Sequence, residues 1–514
     1  MGIGRLFVFQ MLVLSTGMAG WQQPTPTVKS KQQAPAEVEN KRRAVLEQEN
    51  KRDEDIKVLI GYARRAPREF AADSLMRIAE SGKVTDQQLR RELIEESFQV
   101  AASAQNPTKR TIMPGTVIDT RAGYLSNAFR SDLDTLSLQC RAVNAMMAVD
   151  KRKARKLFVE IPKLQLRPLK CEDSLVYDVS VFYETLNRIA QNTFSPKEMR
   201  RDEQVRFVEL YVDGISSPAQ IEPAAKVILS LKISPSQLAT LVHAFSIALS
   251  RIPDDDRSFS VPWISPVGVI DPLVKTCNAK GLSADELLES FRGYLVKHFS
   301  ATRCADSASQ AQQRSIEATL INYFNNHLRL ATYSRTKLIL PLSEDDIRPA
   351  KIQGIAASDQ YWKSSRARNL LLKLQKLRFA SDGKNFTDAE KQEPEWKLQL
   401  SEFLTDLTIW GQVDEKSEAD YFHQKCVLYY GLLEVVPAGQ TRDDVLRSFV
   451  AFLGDSNFEQ NSPIEWYLHA KYILDLAHRA HGAERSKIIE VLDHSRSATL
   501  YLYGQMEKLL PSSK

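Results

Sequence analysis

An all-α chain of stacked antiparallel helical hairpins is what this sequence predicts, with an irregular α-solenoid as the arrangement such hairpins favour and proline-rich breaks between them. Three observations carry that expectation. Glycine is scarce, 20 in 514 residues, and alternating β-branched runs are few. Apolar residues recur at three- and four-residue intervals through most of the chain. The tetrapeptide Ser-Pro-x-Glu/Gln recurs at 195–198, 217–220, 234–237 and 462–465, which are four of the five Ser-Pro pairs. Its serine suits a helix N-cap, and its proline suits the first helical position, where no N–H is needed. Its Glu or Gln sits where a capping box closes. The motif therefore reads as helix punctuation at all four copies.

The chain opens MGIGRLFVFQMLVLSTGMAG. Arg5 supplies a positive start, Leu6 to Leu14 an apolar run broken only by Gln10, and Gly17-Met18-Ala19 the small residues of a cleavage site. That is the pattern of a secretory signal peptide over 1–20, cleaved near Ala19 or Gly20. It predicts an exported protein, periplasmic or extracellular. No later stretch reaches 18 apolar residues, so no transmembrane segment is expected in the mature chain. Residues 21–40, rich in Gln, Pro, Thr and Lys, read as a flexible linker.

A first helical domain is expected over 41–334. Ile56, Leu59, Ile60 and Ala63 share one helix face. Pro67 suits the first turn of the next helix, Gly82 its end, and Thr85 with Gln88 a capping box for a third. Further helices fit 125–149, 172–192, 196–213, 218–231, 235–251, 284–299 and 312–333. Pro253, Pro262, Pro266 and Pro272 make 253–275 an irregular excursion. An irregular connector with one helix covers 335–394. A C-terminal helical-hairpin domain follows over 395–511, with helices at 395–411, 418–436, 442–453, 463–480 and 483–507. Tyr421-Phe422 and Trp466-Tyr467 open two of these at an offset of 45 residues. Segment 143–162 resembles a tetratricopeptide turn, without the full signature.

Composition narrows function only by exclusion. The 69 basic and 64 acidic residues leave a net charge of +5, too balanced for a nucleic-acid binder. No P-loop, G-x-G-x-x-G, G-x-S-x-G, H-E-x-x-H or EF-hand loop occurs, and no cofactor or metal site is expected. The run Asp254-Asp255-Asp256 lacks EF-hand spacing. His478 and His481 have no obvious third ligand. Export permits disulfides, and the local pairings are Cys140–Cys171 and Cys277–Cys304, each worth roughly 3–4 kcal/mol in the chain-entropy model. Five buried thiols are the equal alternative, with Cys426 a core thiol either way. Lys151, Arg152, Lys153, Arg155 and Lys156 form a candidate anion-binding patch. The aromatics from Trp396 to Tyr472 are expected in the core.

Stacked hairpins that are exported suggest a non-catalytic module binding a protein or peptide in the cell envelope. The alternative is a cell-wall enzyme. Glu289-Ser290-Phe291 and Glu96-Ser97-Phe98 resemble the catalytic Glu-Ser motif of lytic transglycosylases, though neither is followed by that family's Gly-Leu-Met-Gln. A reporter active only outside the cytoplasm, fused after residue 40, is expected to be active and to begin at Gly20 or Trp21 on N-terminal sequencing. Leu12→Arg, which charges the apolar run, is expected to abolish that activity.

Overall fold

The computed structural model describes residues 54–112, 120–170, 173–260, 267–299, 315, 317–329, 336–341, 364–415 and 417–510. The expected signal peptide and linker, Cys171, Cys304 and much of the connector lie outside them. Within the described residues the protein is all-α apart from one two-stranded ribbon.

Helix α1 (54–63) buries Ile56, Leu59, Ile60 and Ala63, the face their spacing predicts. Helix α2 (Arg68–Glu80) follows Pro67 and stops before Gly82, whose φ of +70° is open to glycine without a Cβ clash. Helix α3 (Gln87–Ala101) is capped by Asp86 and not by the expected Thr85 box. Then come β1 (Arg110–Ile112), α4 (Arg121–Phe129), α5 (Thr135–Val149), α6 (Lys151–Glu160), β2 (Leu175–Tyr177), α7 (Ser180–Asn192), α8 (Pro196–Met199), α9 (Glu203–Val212), α10 (Ile221–Ser230), α11 (Pro235–Arg251), α12 (Val267–Ala279) and α13 (Asp285–Phe299). Helix α14 (317–329) ends in a π-turn over Phe324–Leu328. The rest are α15 (Ser365–Arg378), α16 (Pro394–Ile409), α17 (Glu418–Val435), α18 (Gln440–Gly454), α19 (Phe458–Asn461), α20 (Pro463–Arg479), α21 (Gly482–Asp493) and α22 (Ala498–Leu509).

Four expected helices are divided. Residues 125–149 fall into α4 and α5, and 196–213 into α8 and α9. At these breaks Asp132 and Asp202 take left-handed φ values of 56° and 58°. An aspartate reaches that region more readily than most residues, and neither glycine nor proline marks the place. Residues 172–192 begin with β2, which pairs antiparallel with β1 so that Arg110 faces Tyr177 and Ile112 faces Leu175. Residues 483–507 split where Ser497 caps α22. The Ser-Pro motif closes a capping box at Ser195, Ser217 and Ser234. At the fourth copy Ser462 makes no side-chain cap, and Glu465 is turned to another use.

Two rows of helices build the N-terminal part. Helices α2, α5, α7, α10 and α12 touch in that order. In the second row Lys153 of α6 pairs with Glu95 of α3, and Phe158 of α6 packs on Phe207 and Tyr211 of α9. Helix α9 then meets α11, and α11 meets α13. The C-terminal helices pack as α15–α17–α18 and α20–α21–α22, with α18 against α21. Gly431 of α17 admits Leu374 of α15 so closely that a Cβ would lie 2.7 Å from its Cδ2.

The C-terminal helices dock onto the first helices of the array. Helix α20 packs on α4. Phe70 of α2 sits against Trp466 and Tyr467 of α20 and Tyr503 of α22, with ring centroids 5.3, 5.8 and 6.4 Å away. A solenoid repeat touches only its sequence neighbours. Here side chains 390 residues apart bond directly. Ser234→Ala, which removes a working cap, is expected to cost about 1 kcal/mol, whereas Ser462→Ala is expected to stay within about 0.5 kcal/mol; urea unfolding of the two variants checks the contrast.

Candidate functional site

Helices α2, α5 and α7, the start of the first row, present charged residues along one side. Asp73, Arg77 and Glu80 fall at i, i+4 and i+7 on α2, Arg141 and Asn144 at i and i+3 on α5, and Glu184 and Arg188 at i and i+4 on α7. Together with Lys109, Asp132 and Asp178 they line a groove of about 750 Å³. Asp178, Ser180 and Glu184 also line a second cavity of about 280 Å³, reaching Tyr183, Asn187, Glu222 and Lys226 of α7 and α10. Most of these charges are committed. Arg141 bridges Asp73 at 2.7 Å and Glu80 at 2.5 Å, Lys109 pairs with Asp132 at 2.8 Å, and Lys226 pairs with Glu222 at 2.6 Å. Glu184 and Arg188, one turn apart at the rim and both exposed, form no ion pair among the described residues.

The back of the groove is the seam between the C-terminal helices and the array. Asp73 is 3% exposed and receives Arg77 at 2.8 Å, Arg141 at 2.7 Å and the Tyr503 hydroxyl at 2.6 Å. Arg77 also donates to the Tyr467 hydroxyl at 3.0 Å. Burial alone would raise the Asp73 carboxyl. The two guanidiniums and the Tyr503 hydrogen bond outweigh it and hold the group ionised below the usual carboxylate range. Burial and the neighbouring Asp73 charge drive the Tyr503 phenol well above its ordinary value.

The other half of the seam joins α4 to α17 and α20. Arg121 pairs with Asp420 at 2.6 Å. The Tyr124 hydroxyl lies 3.3 Å from the Glu465 carbonyl oxygen and 3.1 Å from Nε2 of His469. Nδ1 of His423 stands 3.4 Å from the same Nε2. His469 is fully buried, and its Nδ1 has no partner. Burial pushes His423 down to about 3 and His469 well below its ordinary value, so both imidazoles are neutral at pH 7. Burial raises Glu465 to about 7, against the pull of Arg121.

Other sequence candidates are placed as follows. In the basic run, Lys153 is neutralised by Glu95 at 2.8 Å and Arg155 by Glu198 at 2.7 Å. Lys151, Arg152 and Lys156 remain as exposed cations, and Asp150 caps their helix. Cys140, Cys277 and Cys426 are buried free thiols, and the residues proposed to pair with the first two are not described. Asp256 accepts the Leu169 N–H at 3.1 Å, the Ser258 N–H at 2.9 Å and the Ser217 hydroxyl at 2.7 Å, which ties three loops together. No group of three or more His, Cys, Asp or Glu suited to a metal ion occurs among the described residues. His478 approaches Glu507 at 3.8 Å, while His481 precedes α21. The C-terminal aromatics are core residues as expected, with Trp410 and Trp466 fully buried. Lys425 is buried among them. It donates to the Trp410 carbonyl at 2.8 Å and the Tyr421 hydroxyl at 2.9 Å, and burial lowers it to about 8.

Sequence reading missed the groove charges, Tyr124, His423 and Glu465. The usable signal was the offset of Tyr421-Phe422 from Trp466-Tyr467, which brings His423 and His469 to matching turns of two helices that share Tyr430–Tyr472 and Phe422–His469 contacts. Compared with protein-family models, curated proteins and solved structures, the chain matches none.

Asp73→Asn removes the buried anion between two part-exposed guanidiniums, which keep Glu80 and Tyr467 as partners, and is expected to cost about 1–3 kcal/mol at pH 7. Because folding lowers this carboxyl, its contribution is present above the unfolded value near 4 and fades as pH falls below it. Urea unfolding should therefore show wild type and Asp73→Asn converging between pH 5 and pH 2.

Proposed function

We propose that the protein is an exported, non-catalytic helical scaffold that binds a protein or peptide segment along the α2–α5–α7 groove. The observation that carries this reading is the groove itself. It runs across three helices of one row, carries both signs of charge, and leaves Glu184 and Arg188 uncommitted at its rim. Its volume suits a few side chains of an extended segment. Paired charges along the floor favour a partner of mixed charge and disfavour an apolar one. The expectation of an envelope location rests on the N-terminal sequence pattern.

The alternative as a wall-cleaving enzyme finds no comparable support. A general acid of that type needs a shielded carboxyl with a raised pKa. Glu289 is 59% exposed beside Arg292. Glu96 is clasped by Arg64 through two bonds of 2.8 Å, so neither carboxylate oxygen is left open to a substrate.

Fluorescence anisotropy with peptides of 10 to 15 residues tests the reading. Mixed-charge peptides are expected to bind, with affinity falling as salt is raised. Reversing both rim charges, Glu184→Lys with Arg188→Glu, is expected to weaken binding of the same peptides about tenfold, near 1.4 kcal/mol. Equal affinity in the reversed variant, or release of fragments from purified peptidoglycan by the wild-type protein, would reject it.

A further inference from the structure

The seam contains ionisable groups that the binding groove does not use, and they titrate in opposed senses. Facing one another are Arg121 and Tyr124 from α4, Asp420, His423 and Tyr430 from α17, and Glu465 and His469 from α20. Arg121 and Asp420 neutralise each other at 2.6 Å. What remains is two imidazoles 3.4 Å apart, one of them fully buried with an unpartnered Nδ1, and a half-buried carboxyl.

We propose that the Tyr124–His423–His469 contact is an acid-released latch joining α4, α17 and α20, in which release separates all three helices, and that Glu465, whose carbonyl oxygen lies 3.3 Å from the Tyr124 hydroxyl, sets the pH at which it lets go. While the helices are docked, a proton on His469 is a buried cation without water, and a proton on the half-buried His423 lies against the other ring. A second proton places two like charges at hydrogen-bond distance. Once the helices part, both rings are hydrated and protonate near their ordinary value of 6.5. Lowering pH from 7 to 5 therefore favours the parted state by roughly 25-fold for each histidine.

Glu465 works the other way. Docked, it is held to about 7; hydrated, it returns to its ordinary value of 4.5. It takes up its proton more readily in the docked state, so the same pH change favours docking by roughly 40-fold. Two histidines outweigh one carboxyl, and the net release is about tenfold at pH 5. Below pH 4.5 the carboxyl is protonated in both states and its opposition stops growing, so release steepens.

The other half of the seam does not share this response. Asp73 stays ionised between Arg77 and Arg141 through the same range, because those cations hold its carboxyl low. Release is thus confined to the α4 side, with the Asp73 side remaining closed.

Hydrogen exchange of the full chain from pH 7 to pH 4, corrected for the intrinsic exchange rate, tests the latch. Residues 121–129 report the seam, and residues 235–251 in the array serve as the reference for global unfolding. In the wild type, protection of 121–129 is expected to fall about tenfold by pH 5 while 235–251 is unchanged. In Glu465→Gln, which has no opposing carboxyl, the fall is expected to exceed a hundredfold. In His423→Asn with His469→Gln, which keeps polar atoms in place without a titrating ring, protection is expected to rise on acidification. Proton NMR of the wild-type imidazoles gives an independent readout if the double variant does not fold, with both rings expected to remain neutral at pH 6. A ring at either position titrating freely near 6.5 while the helix stays protected would overturn the proposal. So would equal pH dependence in wild type and Glu465→Gln.

Discussion

Burying the Asp73 carboxylate commits the beginning of this chain to its end. A lone carboxylate inside a core is far too costly to persist, so α2 folds only where Arg77, Arg141 and Tyr503 can converge on it. The last of these is 430 residues away. Around that polar knot Phe70 closes against Trp466, Tyr467 and Tyr503, so the apolar contact and the charged one share a location. The first supplies most of the stabilisation and the second fixes the register, since a slide of one helical turn would part the buried Asp73 carboxylate from Arg141 and Tyr503.

The groove inherits its shape from the same constraint. Asp73 and Arg77 are at once its back wall and the seam's fastening. Arg141 crosses from Asp73 to Glu80, locking the floor between α2 and α5. Floor charges held this way are already oriented before any partner arrives, and pre-orientation lowers the entropy lost on binding. The rim charges on α7 have no such restraint.

Helices were legible because apolar periodicity is local and needs no knowledge of partners. Ile56, Leu59, Ile60 and Ala63 announced α1, and Ser234-Pro235 with Gln237 announced the first residue of α11. Breaks carried by aspartates were not legible, because Asp132 and Asp202 look like ordinary surface residues until their φ is known. The site was not legible for a different reason. Tyr124, His423 and His469 each read as a single polar residue on an apolar helix, and only the docking of α20 on α4 turns them into a cluster. The fourth Ser-Pro copy shows how local grammar yields to tertiary demand. Glu465 had the right spacing to close a capping box, but burial in the seam beside Arg121 claims it.

The docking of the last helices onto the first also sets an order of events. The face of α2 that Trp466 and Tyr503 cover is finished early, yet its cover is made almost 400 residues later. At about 5–20 residues per second that interval is roughly 20–80 s of synthesis. Throughout it, a nascent chain displays Phe70 bare to water beside a charge lacking one of its partners. Such a surface is what holding chaperones recognise, and closure of so remote a contact is slow. The protein's birth is therefore governed less by how fast its individual rods form than by how long the opening segment can be kept from sticking to something else.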